Sequence, residues 1–296
     1  MKAIVRCPGS CGELVQGTAA GMNFLVTCPV TVYSQVSVEL SSERKTDWQA
    51  GDKTLQAVRR TLEYLGLPWQ NVEVRIESDL PLGKGMASSS ADISAACLAT
   101  ALAVGRRIDP QAICDIALAI EPTDGIFLPG ITLIDHVSGK VRRSLGEPPV
   151  ISLAIFDVGG EVDTIDFNQR SDLALLNLAK EPQVLDALQM VEEGLRTGDC
   201  GLIGEGATLS ALANQTILFK PALEGIIELS RSFGAIGVNA AHSGTVIGVM
   251  FADVAAKGIG ACVEEIRRQY PDVRYFTQAR LTSGGLTVVE APGHAR

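Results

Sequence analysis

The stretch from residue 72 to residue 104 constrains the fold of this chain more than any other. Val72-Glu73-Val74-Arg75-Ile76-Glu77 alternates apolar and charged residues, the pattern of a half-buried strand. Ile93 to Val104 is rich in alanine and leucine and reads as a helix buried on most sides. Between them lies Pro81-Leu82-Gly83-Lys84-Gly85-Met86-Ala87-Ser88-Ser89-Ser90-Ala91-Asp92. A strand, a glycine- and serine-rich loop and a helix in that order build an anion site. The glycines let backbone N–H groups turn toward one point, and the helix N-terminus adds unpaired donors and partial positive charge. Lys84 supplies a full charge, and the serines supply hydroxyls for phosphate oxygens or a metal. An ordinary serine-capped helix after a glycine turn is the plainer alternative. The loop is not of the G-x-x-x-x-G-K-[ST] kind: Gly85 follows Lys84, and Ser78 stands where the first glycine belongs.

Around this unit the chain reads as strands separated by helices. A short strand at residues 3–6 is expected to run into a compact turn, Pro8-Gly9-Ser10-Cys11-Gly12-Glu13-Leu14. Strands are expected at 24–28 and 31–40, a polar exposed loop at 41–51, and a helix at 54–65. A second apolar helix at 110–120 ends at Glu121-Pro122-Thr123-Asp124-Gly125, where proline fixes Glu121 at an element terminus. A hairpin is expected around Asp135-His136-Val137-Ser138, and Glu147-Pro148-Pro149 is the best linker. Beyond it come a strand at 151–158, mostly helical sequence from 172 to 231, and strands at 245–251, 274–281 and 286–290. A helix at 254–270 separates the last two of these from the first. The implied class is α+β, an open antiparallel or mixed sheet with helices on one face, divided into residues 1–148 and 149–296.

Four features are candidates for one site. The first is the loop. The second is Glu121, with Asp124 three residues on: magnesium takes few protein oxygens, and a loop serine with Glu121 would suffice. The third is the 8–14 segment with its acid Glu13. The fourth is Val238-Asn239-Ala240-Ala241-His242-Ser243-Gly244, a small-residue loop suited to close approach of backbone to an anion. His242 is available as an acid–base group, although a lone histidine is more often structural. The net charge of −9 argues against a nucleic-acid surface. Seven scattered cysteines without a C-x-x-C, and no leader or long unbroken apolar run, point to a reducing cytoplasm and no membrane.

At these four places the sequence resembles the GHMP-type small-molecule kinases, which include galactokinase, homoserine kinase and mevalonate kinase. Their central motif has the form P-x-x-x-G-L-G-S-S-A, matched at residues 81–90 with Ala87 in place of a glycine and Ser90 in place of an alanine. Pro8 to Gly17 and Val238 to Gly248 match the first and third motifs. Within the family the chain is most similar to the L-threonine kinases of cobalamin biosynthesis, through residues 8–17, 84–89, 120–124, 204–211 and 238–244. The resemblance implies an N-terminal domain like domain 2 of ribosomal protein S5, a ferredoxin-like C-terminal domain and a site between them. It implies ATP phosphates over residues 81–90, and Mg²⁺ on Glu121 and a loop serine, Ser88 or Ser89. Catalysis is expected of Lys84, Ser88, Glu121, Asp124 and Ser243. Ser10, Cys11, Glu13, Asn239, His242, Ser243 and Gly244 are expected around a small amino-acid substrate, L-threonine, in a monomer or homodimer. Mevalonate kinases carry an aspartate base well beyond the metal-binding glutamate and a lysine where this chain has Ser10. Here the nearest acid is Asp124: it takes that role, or the reaction proceeds without a protein base.

Overall fold

The computed structural model describes residues 1–41, 50–159 and 170–292. The expected polar loop at 41–51 lies almost wholly outside the described residues. Among the described residues, ten strands form one sheet in which every pairing is antiparallel. They are β1 (Lys2–Ala19), β2 (Met22–Leu40), β3 (Val72–Ser78), β4 (Ile131–Ile134), β5 (Arg142–Gly146), β6 (Ile151–Asp157), β7 (Gly237–Ala240), β8 (Val246–Ala252), β9 (Arg274–Arg280) and β10 (Thr287–Glu290). The order is β5-β4-β2-β1-β7-β8-β6-β9, with β3 beside β2 and β10 beside β1. The helices are α1 (Asp52–Tyr64), α2 (Ser88–Ala103), α3 (Pro110–Leu118), α4 (Leu173–Thr197), α5 (Cys200–Ala213), α6 (Leu223–Arg231) and α7 (Ile259–Gln269).

Two expectations change. Residues 8–14 are not a turn between strands: β1 runs unbroken through them, with register shifts against β2 at Pro8/Gly9, Ser10/Glu13 and Glu13/Val15. Proline and glycine there mark bulges, which let the strand bend while it keeps pairing. The strands expected at 24–28 and 31–40 are one strand, β2. Its first half is buried on both faces, and its second half buries Ser34, Val36 and Val38 in alternation. A smaller change concerns the helix expected from 254, which begins at Ile259 after a 3₁₀ turn at Asp253–Gly258.

The helices follow their patterns. α1 buries Thr54, Ala57, Val58, Thr61 and Leu62, one face of a 3.6-residue repeat. α2 is buried nearly all round, as its alanine content permits, and lies against β1, β2 and α1. α3 starts with Pro110 at its first position and Asp109 as N-cap, whose carboxylate accepts the Ala112 N–H at 2.8 Å. A second core, centred on Phe156, Val249, Phe251, Ile226 and Ile266, lies under α6 and α7 in the C-terminal half. Among the described residues no helix is long and apolar enough to cross a membrane.

Candidate active site

The loop after β3 is shaped by three residues with left-handed backbone: Gly83 (φ 70°), Gly85 (φ 83°) and Ala87 (φ 55°). Ala87 is the N-cap of α2 and offers no side-chain cap. The first helical bond runs from Ala91 N to Ala87 O at 2.9 Å. The N–H groups of Ser88, Ser89 and Ser90 therefore have no partner within the helix and point along its axis. The loop is fastened from two sides. Ser10 N donates to Met86 O (3.1 Å) and Gly12 N to Gly85 O (3.3 Å), both from β1. Thr245 N and Val246 N both donate to Lys84 O (2.9 and 3.1 Å) from the start of β8. The bulged stretch of β1 and the β7–β8 loop thus converge on the glycine–serine loop, as the three sequence motifs suggested.

In front of the α2 N-terminus lies a cleft of about 980 Å³. On one wall Glu121 accepts a hydrogen bond from the Ser89 hydroxyl and pairs through its other oxygen with the Lys53 ammonium of α1. Asp124, also lining the cleft, is held by Ser90, whose hydroxyl donates to Oδ2 at 3.3 Å. Burial pushes the Asp124 carboxyl up to about 6; the Ser90 hydrogen bond opposes the rise and the Glu121 charge adds to it.

The inner end of the cleft is formed by buried ionisable groups. Glu13 Oε2 accepts the His242 backbone N–H at 2.6 Å. Burial, reinforced by Asp124, drives the Glu13 carboxyl well above the usual carboxylate range, against the pull of that N–H and of Lys220 and Lys180. Both lysines are themselves buried. Lys180 Nζ donates to Asn214 Oδ1 (2.8 Å) and Lys220 Nζ to Ala241 O (3.1 Å). Desolvation lowers each ammonium to about 8, with Glu13 opposing the shift. The His136 and His242 rings meet edge to face, 5.3 Å between centroids. Burial lowers His136 to about 4, with Asp135 resisting, and lowers His242 well below its usual value.

The cleft is lined by Leu82, Gly83, Gly85, Met86, Ala87 and the three serines from the loop, together with Glu13, Glu121, Asp124, His242 and Ser243. Other expected residues lie elsewhere. Pro81 is outside the lining, and Lys84 turns away to pair with Asp157 of β6 at 3.2 Å. Asn239 is fully buried behind the wall, its amide donating to the Cys11 and Glu13 carbonyls. Cys11 is buried beside it, and Ser10 and Gly244 pack on the loop backbone without lining the cleft. His136, Lys53 and Asp92 are among the cleft residues that the sequence did not assign to the site. His136 lay in what read as a hairpin turn, and Lys53 and Asp92 carried no local signal.

The oxygen set at Ser89 and Glu121 suits a hard divalent cation such as Mg²⁺, which takes few protein ligands and leaves the rest to phosphate and water. No cluster of three or more His, Cys, Asp or Glu able to hold a metal occurs among the described residues.

Residues 52–127 match the GHMP kinases N terminal domain, and residues 191–266 match the GHMP kinases C terminal domain. An L-threonine kinase of Salmonella typhimurium is 36% identical over 255 residues, 84% of this chain and 82% of that protein. An L-threonine kinase of Citrobacter freundii is 33% identical over 252 residues, 84% of this chain and 86% of that protein. Among solved structures, a homoserine kinase from Cytophaga hutchinsonii superposes with a TM-score of 0.72 at 18% identity, over 97% of both chains. The two-domain fold, the order of the motifs and these relatives agree: the chain is a small-molecule kinase of the GHMP family.

Proposed function

We propose that the chain transfers the γ-phosphoryl group of ATP to the hydroxyl of L-threonine, giving L-threonine O-3-phosphate for the aminopropanol phosphate arm of cobalamin assembly. The observation that carries this reading is the meeting of the 83–90 loop, the Ser89–Glu121 pair and the Glu13–His242 contact in one cleft. The threonine kinases of similar sequence support the choice of acceptor.

In this reading residues 1–148 carry the nucleotide site, and residues 149–296 close it with Ser243. The loop N–H groups and the α2 N-terminus receive the phosphates, stabilising charge that is spread over the transferred group. Bound to Ser89 and Glu121, Mg²⁺ would neutralise phosphate charge. Lys53, paired with Glu121, adds a positive charge at the same wall. Lys84, tied to Asp157, holds the loop against β6 and would reach phosphate only by leaving that partner. At the inner end the buried Glu13 carboxyl offers a hydrogen-bonding group to an amino-acid acceptor. The two neutral histidine rings there each carry one ring N–H donor and one acceptor nitrogen.

The test is ADP release with Mg-ATP and a panel of L-threonine, L-serine, L-homoserine and mevalonate. Selective turnover of L-threonine is expected. Preference for homoserine or mevalonate would keep the chemistry and move the substrate. ATP binding without turnover of any alcohol would point to a regulatory nucleotide-binding protein instead.

A further inference from the structure

Ser90 departs from the alanine of the related loop motif, and its hydroxyl has no capacity left for a phosphate. A serine hydroxyl offers one donor and two acceptor positions. Ser90 Oγ accepts the Thr123 hydroxyl (3.1 Å) and the Asp124 backbone N–H (3.1 Å), and it donates to Asp124 Oδ2 (3.3 Å). All three positions serve the 121–124 segment, and the residue is only 3% exposed. The same segment is pinned along its length. Glu121 N donates to Ala117 O (3.0 Å) and Thr123 N to the His136 carbonyl (3.0 Å). Among the described residues, the Asp124 carboxylate takes a side-chain hydrogen bond from this loop serine.

We propose that Ser90 is a positioning residue that holds Asp124 as the base for the acceptor hydroxyl, and that it does not bind phosphate. This rests on the alcohol-kinase reading of the cleft. In the step, the hydroxyl oxygen of the acceptor forms a bond to the γ-phosphorus. The bond from that phosphorus to the β,γ-bridging oxygen breaks, and its electron pair leaves on ADP. The hydroxyl proton passes to the Asp124 carboxylate and from there to solvent after product leaves. The proximity of Asp124 to Glu121 also explains how a base can serve this fold from a position so close in sequence. The segment turns at Pro122, so that Glu121 faces Ser89 while Asp124 faces Ser90, one residue further into α2.

The charged and titratable groups around Asp124 come from several elements. Glu121 precedes it in the same segment, and Glu13 stands on β1 with Lys180 and Lys220 behind it. His136 and His242 line the cleft from the β4–β5 turn and the β7–β8 loop. The two histidines are neutral, and the Ser90 hydroxyl hydrogen-bonds to Asp124, so the first effect of removing the serine falls on Asp124. With Asp124 near 6 in the folded protein, activity requiring its ionised form rises as pH passes upward through that value. Removing the Ser90 hydrogen bond, which favours the ionised form, moves this rise to higher pH.

The experiment measures kcat, KM for ATP and the kcat–pH profile for the wild type, S90A, D124N and the double variant, each checked for folding by melting. For S90A, kcat near pH 6 is expected to fall about tenfold, KM for ATP to stay within about twofold, and the acid limb to move up. D124N is expected to lose on the order of 10²–10⁴ in kcat, and the double variant to lose no more than D124N. If S90A does not fold, Thr123→Val removes one of the donors to Ser90 and is expected to move the limb the same way. A large rise in KM for ATP with an unmoved limb, or losses that multiply in the double variant, would overturn the proposal while leaving the threonine kinase reading intact. Should the acceptor panel select another alcohol, the same four proteins are measured on that alcohol, and the proposal stands or falls separately. A wild type that phosphorylates no alcohol would overturn both.

Discussion

Gly85→Ala probes whether the loop must touch the β7–β8 segment, and Gly83→Ala supplies its control two residues away. Both glycines have left-handed backbone, φ 83° and 70°. Each alanine therefore carries a backbone cost of about 1 kcal/mol, partly offset by about 0.4–1 kcal/mol from the less flexible unfolded chain. The surroundings differ. A Cβ on Gly83 would meet nothing within 4 Å. A Cβ on Gly85 would lie 2.6 Å from Ala241 Cβ and 2.9 Å from Gly244 Cα, where ordinary contact begins near 3.4 Å. Relief requires a separation of about 1 Å between the loop and residues 241–244, with overpacking costs of about 1–3 kcal/mol. Backbone lies on both sides, and Lys84 O is already bound to Thr245 N and Val246 N, so the shift falls on the loop itself. Gly85→Ala is expected to melt on the order of 5 °C below Gly83→Ala. A 1 Å displacement of phosphate-binding N–H groups is worth about 10² in kcat/KM. Thermal melting and steady-state ADP release with varied ATP measure both effects. Equal melting and equal kcat/KM for the two variants would refute the reasoning, because only packing distinguishes them.

Glu121→Gln keeps the side chain's size but removes its charge; kcat/KM at fixed Mg²⁺ is expected to fall at least about 10²-fold, read with a magnesium titration. Its melting temperature should change little, since the lost ion pair involves Lys53, whose side chain is 46% exposed. Asp109→Ala removes the cap of α3 and is expected to cost about 1 kcal/mol in urea unfolding, with activity retained. His136 is neutral when folded, its value depressed from 6.5 to about 4. The unfolded chain thus takes up a proton first as pH falls: the stability this residue provides is complete above about 6.5 and is lost between there and about 4. That loss amounts to about 3 kcal/mol, and His136→Asn should flatten the fall of stability with pH over that window.

Much of the site was legible because its signals are local. The alternation in 72–77, the glycines, lysine and serines of 83–90 and the alanine-rich run that follows specify a strand, a glycine–serine loop and a buried helix without outside help. Glu121 was legible because proline ends the helix next to it. What failed to show depends on contacts between distant residues. Pro8 and Gly12 look like turn formers, yet β1 continues through them because the loop's Met86 and Gly85 carbonyls receive the N–H groups of Ser10 and Gly12. Asn239 looked like a ligand, but its amide is spent on β1 carbonyls 226 and 228 positions earlier. Lys180 and Lys220 sit in helical or polar sequence that gives no hint of burial. Inside, they are met by Asn214 and by the Ala241 carbonyl, 34 and 21 positions further along the chain. Lys84, the one charge in the loop, is claimed by Asp157 from the other half of the molecule.

The position of β1 has a consequence for how the chain matures. Its residues 4–6 pair with β10, its residue 13 with β7, and nearly its whole length with β2. Of these neighbours only β2 is made soon after β1; β7 follows some two hundred residues later, and β10 is the last strand described. Chains fold from the N-terminus as they are synthesised, and long-range pairings form slowly. β1 therefore waits with an open edge until β7 and β10 have been made. The bulges at Pro8 to Glu13 bend the stretch of β1 whose other edge β7 later meets at Glu13. There they disfavour a regular ladder with a stray strand, so the irregularity that shapes the site also guards the nascent chain against pairing with a neighbour.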